Sequence, residues 1–401
     1  MPQFVGDFAA GGGFAGGTGG FFGGTGAFSG TSGAFPTGGV STTGGANATG
    51  GAGAIGGISG SGGEGDDGGV EGGAPSGGNG GTGNAGGTTG DGSSGEGGAA
   101  GDSPRPAAPS CNGTTGTECR GGSCCESQLV SGDTFDQGEP DAFRSTVSSF
   151  YLDKYEVTVS RMRRFVTAYD GWTAAGNPRA GSGAHPSIPG SGWDPAWNAR
   201  LPANVVALTA STGASLKCGG ALSTWLDNAG HELQPINCVT FYVSYAFCIW
   251  DGGRLPTEAE FEFAAAGGSD DRLYPWGDTP VPSDTNATHA AYKCMGDGSA
   301  PDLCSVDDMP PGGAFPLGVG RFGQMDLVGG VGEWVRDQNV TGAAYPTTPQ
   351  TNHLVLDATD DRGARGGDWD GPALELLSAH RQFNPGSEAH TNTGVRCARD
   401  P

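Results

Sequence analysis

Ten cysteines are the residues best placed to do chemistry in this 401-residue chain, and none of them forms a Cys-x-x-Cys pair. Structural zinc sites draw their thiolates from such close pairs, so the spacing argues against one. An even count among Gly- and Asn-rich turns reads instead as a disulfide framework, which requires an oxidising compartment. Cys294 and Cys304 flank a short acidic, glycine-rich loop, where a local disulfide is the economical reading. Cys111, Cys119, Cys124 and Cys125 bracket tight turns, and their pairing, like that of Cys218 and Cys238, is not readable from spacing. The 6 histidines (185, 231, 289, 353, 380 and 390) are dispersed rather than clustered. No serine sits in a Gly-x-Ser-x-Gly elbow, and the Gly-x-Gly-x-x-Gly matches near the start lack a strand before and a helix after them.

Local patterns show what must position these groups. Phe150 to Val157 alternates large apolar with polar residues and predicts a half-buried strand. It leads into a helix capped by Thr158, with Val159, Met162, Phe165 and Val166 at helical spacing. Residues 171–235 read as long ordered loops. Phe241–Trp250 predicts a buried helix stopped by Asp251-Gly252-Gly253. Thr257-Glu258-Ala259-Glu260 fits a capping box, which gives the glutamates of the next helix a structural role. The C-terminal third is short strands and Gly/Trp/Arg turns, so the fold class is α+β with little regular secondary structure.

Composition divides the chain. All 8 Trp, 8 Tyr, 10 Cys and 20 Lys and Arg lie after residue 104, whereas 43 of the 81 glycines lie in the first 101 residues. A segment without large side chains cannot offset backbone ordering, which costs about 1–2 kcal/mol per residue. Residues 1–109 are therefore expected to be a disordered, low-complexity tether, 110–126 a cysteine-rich cap and 127–401 the folded domain. A net charge of -23 disfavours nucleic acid as a partner. No stretch approaches a membrane-spanning length of apolar residues. The opening Met1-Pro2-Gln3-Phe4 shows no basic region followed by an apolar run, so no leader is recognisable; the cysteines favour an exported or cell-surface protein whose leader precedes the start shown.

Five ordered blocks carry a family resemblance. They are Tyr151 to Thr158, Asp251 to Phe261 with Tyr274 to Asp278, Met325 to Gly329 with Glu333-Trp334-Val335, Arg365-Gly366-Gly367, and Gly394 to Ala398. Over roughly residues 127–399 the chain resembles the formylglycine-generating enzyme (sulfatase-modifying factor) family. The resemblance implies a C-type-lectin-like fold and a disulfide between Cys248 and Cys397. It also implies oxidation of a substrate cysteine to formylglycine with oxygen and copper, the copper being held by two cysteines just after the Arg-Gly-Gly motif. Here that segment, Asp368 to Arg381, contains no cysteine. Without the thiolates a soft copper ion is not expected. The related iron sulfoxide synthases would need clustered histidines, which are missing.

The family's calcium sites imply Glu333, beside Gly330 where an asparagine is usual, and Asn286 with an acid such as Asp297. The expected function is a non-catalytic binding module for a peptide, glycan or surface protein. Its expected contact residues are Trp172, Trp193 and Trp197 together with Trp369 and His380 near the vacated groove. The alternatives are an enzyme of the same family with an altered metal site, or a structural matrix protein acting through its glycine-rich tail.

Overall fold

The computed structural model describes residues 108–401 apart from 113–117, 139–142, 212, 214, 219, 284, 286, 339–344, 357 and 358. Apart from its last two residues, the tether expected over 1–109 lies outside the described residues.

Helix α1 (Val159–Ala174) starts as its sequence dictates, with the Thr158 hydroxyl accepting the Arg161 amide. Val159, Met162, Phe165 and Tyr169 bury one stripe of it. The helix continues past Val166 because Tyr169 and Trp172 extend that stripe. Their rings meet Phe165 edge-on at 5.4 and 5.6 Å. Among the described residues of the loops expected over 171–235 there is one short helix, α2 (Val205–Leu208), with 3-10 stretches at Pro195–Arg200 and Gly220–Leu222. Helix α3 (Phe241–Trp250) is capped by Thr240 and buried from Phe241 to Cys248. In α4 (Glu258–Ala265) both halves of the Thr257–Glu260 capping box form.

Strands β1 (Glu118–Cys119) and β2 (Gly122–Ser123) make a hairpin in the cysteine-rich segment, closed by Cys119–Cys124 and Cys111–Cys125. A three-stranded sheet has the order β12-β6-β3, from Ala398–Arg399, Phe150–Asp153 and Ser127–Val130. A second has the order β4-β5-β8, from Thr134–Gln137, Phe143–Thr146 and Gln350–Thr351. The largest has the order β10-β9-β7-β11, from Arg381–Pro385, Asp361–Arg365, Gly332–Gln338 and Thr393–Gly394. The strand expected over 150–157 stops at Asp153. Lys154 and Tyr155 turn toward the cysteine-rich segment instead, donating to the Gly121 and Arg120 carbonyls at 2.8 and 3.0 Å.

The main core packs α1 against α3 and places Trp334 of β7 beside them; a second core sets α4 against β3, β4 and β6. Cys248 of α3 bonds to Cys397, and Cys218–Cys238 and Cys294–Cys304 complete a set in which no cysteine is free. Asp153 and Asp251 are buried between Arg161 and Arg399, and Asp251 also accepts the Ser110 amide at 2.9 Å. This network ties β6, α1, the end of α3, the cysteine-rich segment and β12 at one point. The arrangement is α+β with modest regular structure, as its sequence indicates.

Candidate functional site

Strand β9 ends at Arg365, and the two glycines after it turn the chain. Gly366 and Gly367 hold φ of 101° and 65°, and a Cβ on Gly367 would lie 2.7 Å from the Glu375 carbonyl. The turn delivers Asp368 into a polar mesh. Its carboxylate accepts from the Gly371 amide at 2.8 Å, Asn392 Nδ2 at 2.9 Å and Gln382 Nε2 at 3.3 Å. Gln382 Nε2 also donates to Glu375 at 2.8 Å. A Cβ on Gly371 would lie 2.5 Å from Glu375 Oε2, so a side chain there would require the Glu375 carboxylate to shift. Burial, then neighbouring Asp370 and Glu375, pushes the Asp368 carboxyl up to about 8. These donors are carboxylates and amides, hard ligands unsuited to Cu(I). Among the described residues no three His, Cys, Asp or Glu side chains are placed to share a metal ion. The family's copper chemistry does not fit this segment.

Around the corner, His380 lines a cavity of about 320 Å3 with Glu262, Asp271, Arg272 and Ser378. Its backbone carbonyl accepts from Arg365, whose guanidinium also holds Glu258 and Glu262, while Arg381 contacts Glu258. The helix glutamates are thus structural, as the capping box suggested. Burial, then the Arg365 charge, holds the His380 imidazole below its ordinary value, and its Nδ1 has no partner among the described residues.

The tryptophans divide. Trp193 is 2% exposed, with Nε1 donating to Asn198 Oδ1 at 2.8 Å, and Trp369 is 1% exposed, with Nε1 donating to the Thr391 carbonyl at 3.2 Å. Neither is a surface anchor; both are core, which corrects the expectation that they present themselves to a ligand. Their neighbours explain the difference: Trp193 fills the space over Tyr245, and Trp369 packs on the Cys294–Cys304 loop. Trp172 also packs against the main core. Trp197, edge-on to Trp193 at 5.5 Å, remains half-buried and lines a separate cavity of about 550 Å3. Arg336 and Arg362 line the same cavity and were not singled out from the sequence, in which two strand arginines look like ordinary surface residues.

Glu333 is fully engaged. Arg396 Nε contacts both its oxygens, at 3.0 and 2.9 Å, and Nη2 adds a 2.8 Å bond. The other Arg396 hydrogen bonds go to the carbonyls of Asp153, Lys154, Met325 and Asp326. A fixed guanidinium therefore stands against the carboxylate that calcium would need, and Glu333 does not fit a calcium ligand here. The Glu156 carboxylate accepts the Val331 amide at 2.9 Å and occupies the space beside Gly330. Burial, then Asp326 and Glu333, pushes Glu156 well above the carboxylate range. Asn286 lies outside the described residues. Asp297, in the Cys294–Cys304 loop, accepts the Ser299 amide at 2.7 Å and is otherwise open to solvent.

The family described as sulfatase-modifying factor enzyme 1-like domain matches residues 113–401, and the chain belongs to it. It is 28% identical over 289 residues to the formylglycine-generating enzyme of Mus musculus, covering 66% of this chain and 69% of that one. It is 35% identical over 169 residues to the inactive C-alpha-formylglycine-generating enzyme 2 of Bos taurus, covering 41% of this chain and 50% of that one. Among solved structures it is similar to PvdO from Pseudomonas aeruginosa, with 20% identity, a TM-score of 0.46, and coverage of 68% of this chain and 93% of that one.

Proposed function

We propose that the domain is a non-catalytic member of its family, a disulfide-framed binding module working in an oxidising, extracellular or cell-surface setting. One observation carries this reading. Where the family's thiolates belong, Asp368, Gln382, Asn392 and Glu375 close a mesh of hard oxygen and amide donors beside Gly371. Every cysteine is tied in a disulfide, so none is left to take the role from elsewhere. The name of the bovine relative shows that this family contains inactive members.

The ligand in this reading is a peptide, glycan or surface protein, received at the concave face beside His380. Arg365 and the α4 glutamates hold the wall of that cavity rigid, which suits binding without induced rearrangement. We include a calcium ion held by loop oxygens about Asp297 and Asn286 rather than by Glu333. Thermal unfolding in calcium against a chelator tests that part alone.

The main test is incubation of the full chain with copper, oxygen and a cysteine-containing sulfatase peptide. The expected mass spectrum shows the thiol unchanged. Conversion to the aldehyde would overturn the reading.

A further inference from the structure

Seven arginines are buried among the described residues: 161, 254, 336, 362, 365, 396 and 399. Five of them hold a carboxylate, in the pairs Arg161–Asp153, Arg254–Glu260, Arg365–Glu258, Arg396–Glu333 and Arg399–Asp251. Arg336 and Arg362 hold none among the described residues, although they are only 5% and 2% exposed. Both line the cavity of about 550 Å3 beside Trp197. In a chain with a net charge of -23, two buried cations that face one space with no ion-pair partner among the described residues call for an explanation.

Arg336 donates Nε to the Ser191 carbonyl at 2.5 Å, and its Nη1 is left without a partner. The Nε and Nη1 atoms of Arg362 are likewise unpartnered. Aromatic faces hold both groups in place. Arg336 lies 5.0 Å from the Trp197 ring centre, and Arg362 lies 4.7 Å from Phe241 and 5.4 Å from Trp197. Cation–π contact offsets part of the burial cost but supplies no hydrogen-bond acceptor. A third cation, Arg200, stands at the rim, 5.9 Å from the Tyr242 ring. The two acids of the lining are hydrogen-bonded to other groups; despite burial, Tyr242, Ser387 and the nearby Arg200 and Arg362 charges hold the Asp360 carboxyl below its ordinary value. Asp194 caps the Ala196 amide at 2.9 Å, and Asp360 accepts from Tyr242 and Ser387, each at 2.7 Å.

We propose that this cavity is an oxyanion-binding site, in which the free N–H groups of Arg336 and Arg362 take the oxygens of a sulfate, phosphate or carboxylate group carried by a small molecule. The guanidinium fork matches such oxygens in number and direction, and a desolvated pocket strengthens each charge-assisted bond. Trp197, Tyr242 and Leu356 line the remaining volume and accommodate the organic part of the ligand. The site is separate from the Asp368 mesh and the His380 cavity, so it stands whether or not the domain is catalytic.

The experiment uses the full chain and three probes: inorganic sulfate, inorganic phosphate and acetate, each against sodium chloride at equal ionic strength. At least one probe is expected to change tryptophan fluorescence saturably and to raise the unfolding temperature. The preferred probe distinguishes a tetrahedral from a planar oxyanion. Arg362→Gln and Arg336→Gln are each expected to weaken binding by about tenfold or more, the worth of one charge-assisted pair. Arg144→Gln, which removes an exposed arginine paired with Asp136, is expected to leave binding unchanged. Should a Gln variant fail to fold, Arg362→Lys keeps the charge without the fork and is expected to bind more weakly than the parent. No saturable response to any probe would overturn the proposal, as would equal affinity in the Arg362 variants. Binding that emerges only in Asp357→Asn would overturn it too, by assigning the arginines to a carboxylate of the chain's own; Asp357 lies outside the described residues.

Discussion

Gly330 and Glu156 exclude a larger side chain from the space between them: a Cβ on Gly330 would lie 2.6 Å from Glu156 Oε1. The buried Glu156 carboxylate fills the space beside this glycine and accepts the Val331 amide. Gly330→Asn is therefore expected to cost about 1–3 kcal/mol by overpacking. Glu156→Ala should relieve the collision, so the double variant loses less than the two single losses added. Guanidinium denaturation of the four proteins measures that non-additivity.

Stability should fall as pH rises from about 5 to about 9. Asp368, pushed up to about 8, and Asp337, pushed up to about 7 by burial and then Glu258, bind protons in the folded state that the unfolded chain has already released. The stabilisation is fully present below the unfolded carboxylate pKa and is lost as pH climbs through the folded values. Asp368→Asn removes one titrating group and should flatten the upper part of the profile. Glu260 works in the other direction. Arg254 outweighs the burial that opposes ionisation and holds the Glu260 pKa at about 2, so its contribution is present above the unfolded carboxylate value and is lost as pH falls from there through the folded one. Unfolding midpoints measured across pH in the parent and in Asp368→Asn check both signs.

The disulfides should differ in worth according to the loops they close. Cys248–Cys397 spans 149 residues and Cys294–Cys304 spans 10. Chain entropy alone gives about 5 kcal/mol for the first and about 2.5 kcal/mol for the second. Paired alanine substitutions at each bridge, followed by chemical unfolding, should reproduce that order. Thiol titration of the denatured, unreduced parent should detect none of the ten.

Truncation should separate the tryptophans. Trp369→Ala empties a buried position and is expected to cost about 3–5 kcal/mol. Trp197→Ala, at the rim of a cavity, should cost less and instead abolish the fluorescence response to an oxyanion. Unfolding curves of the two variants, compared directly, settle which is core.

Short-range chemistry was legible in the sequence. The Thr158 and Thr257 caps and the buried run of α3 follow from residues within one or two turns of each other. The family motifs supplied the Cys248–Cys397 pairing and the fold. What the sequence withheld is set by residues far apart in the chain. Whether Trp193 and Trp369 face ligand or core depends on Tyr245 and on the Cys294–Cys304 loop, which local pattern does not place. The engagement of Glu333 depends on Arg396, 63 positions away, and a lone glutamate in a motif gives no sign of it. That Arg336 and Arg362 hold no carboxylate among the described residues is legible only once the other arginine partners are known.

Asp251 joins the two ends of the folded region through one carboxylate, with Ser110 on one oxygen and Arg161 and Arg399 on the other. A mechanical load applied at residue 110 and at the C-terminus would be borne by this short circuit of ion pairs. The β10-β9-β7-β11 and β4-β5-β8 sheets lie outside that circuit, so a pull on the two ends would load β6 and β12 and leave those two sheets out of the line of force.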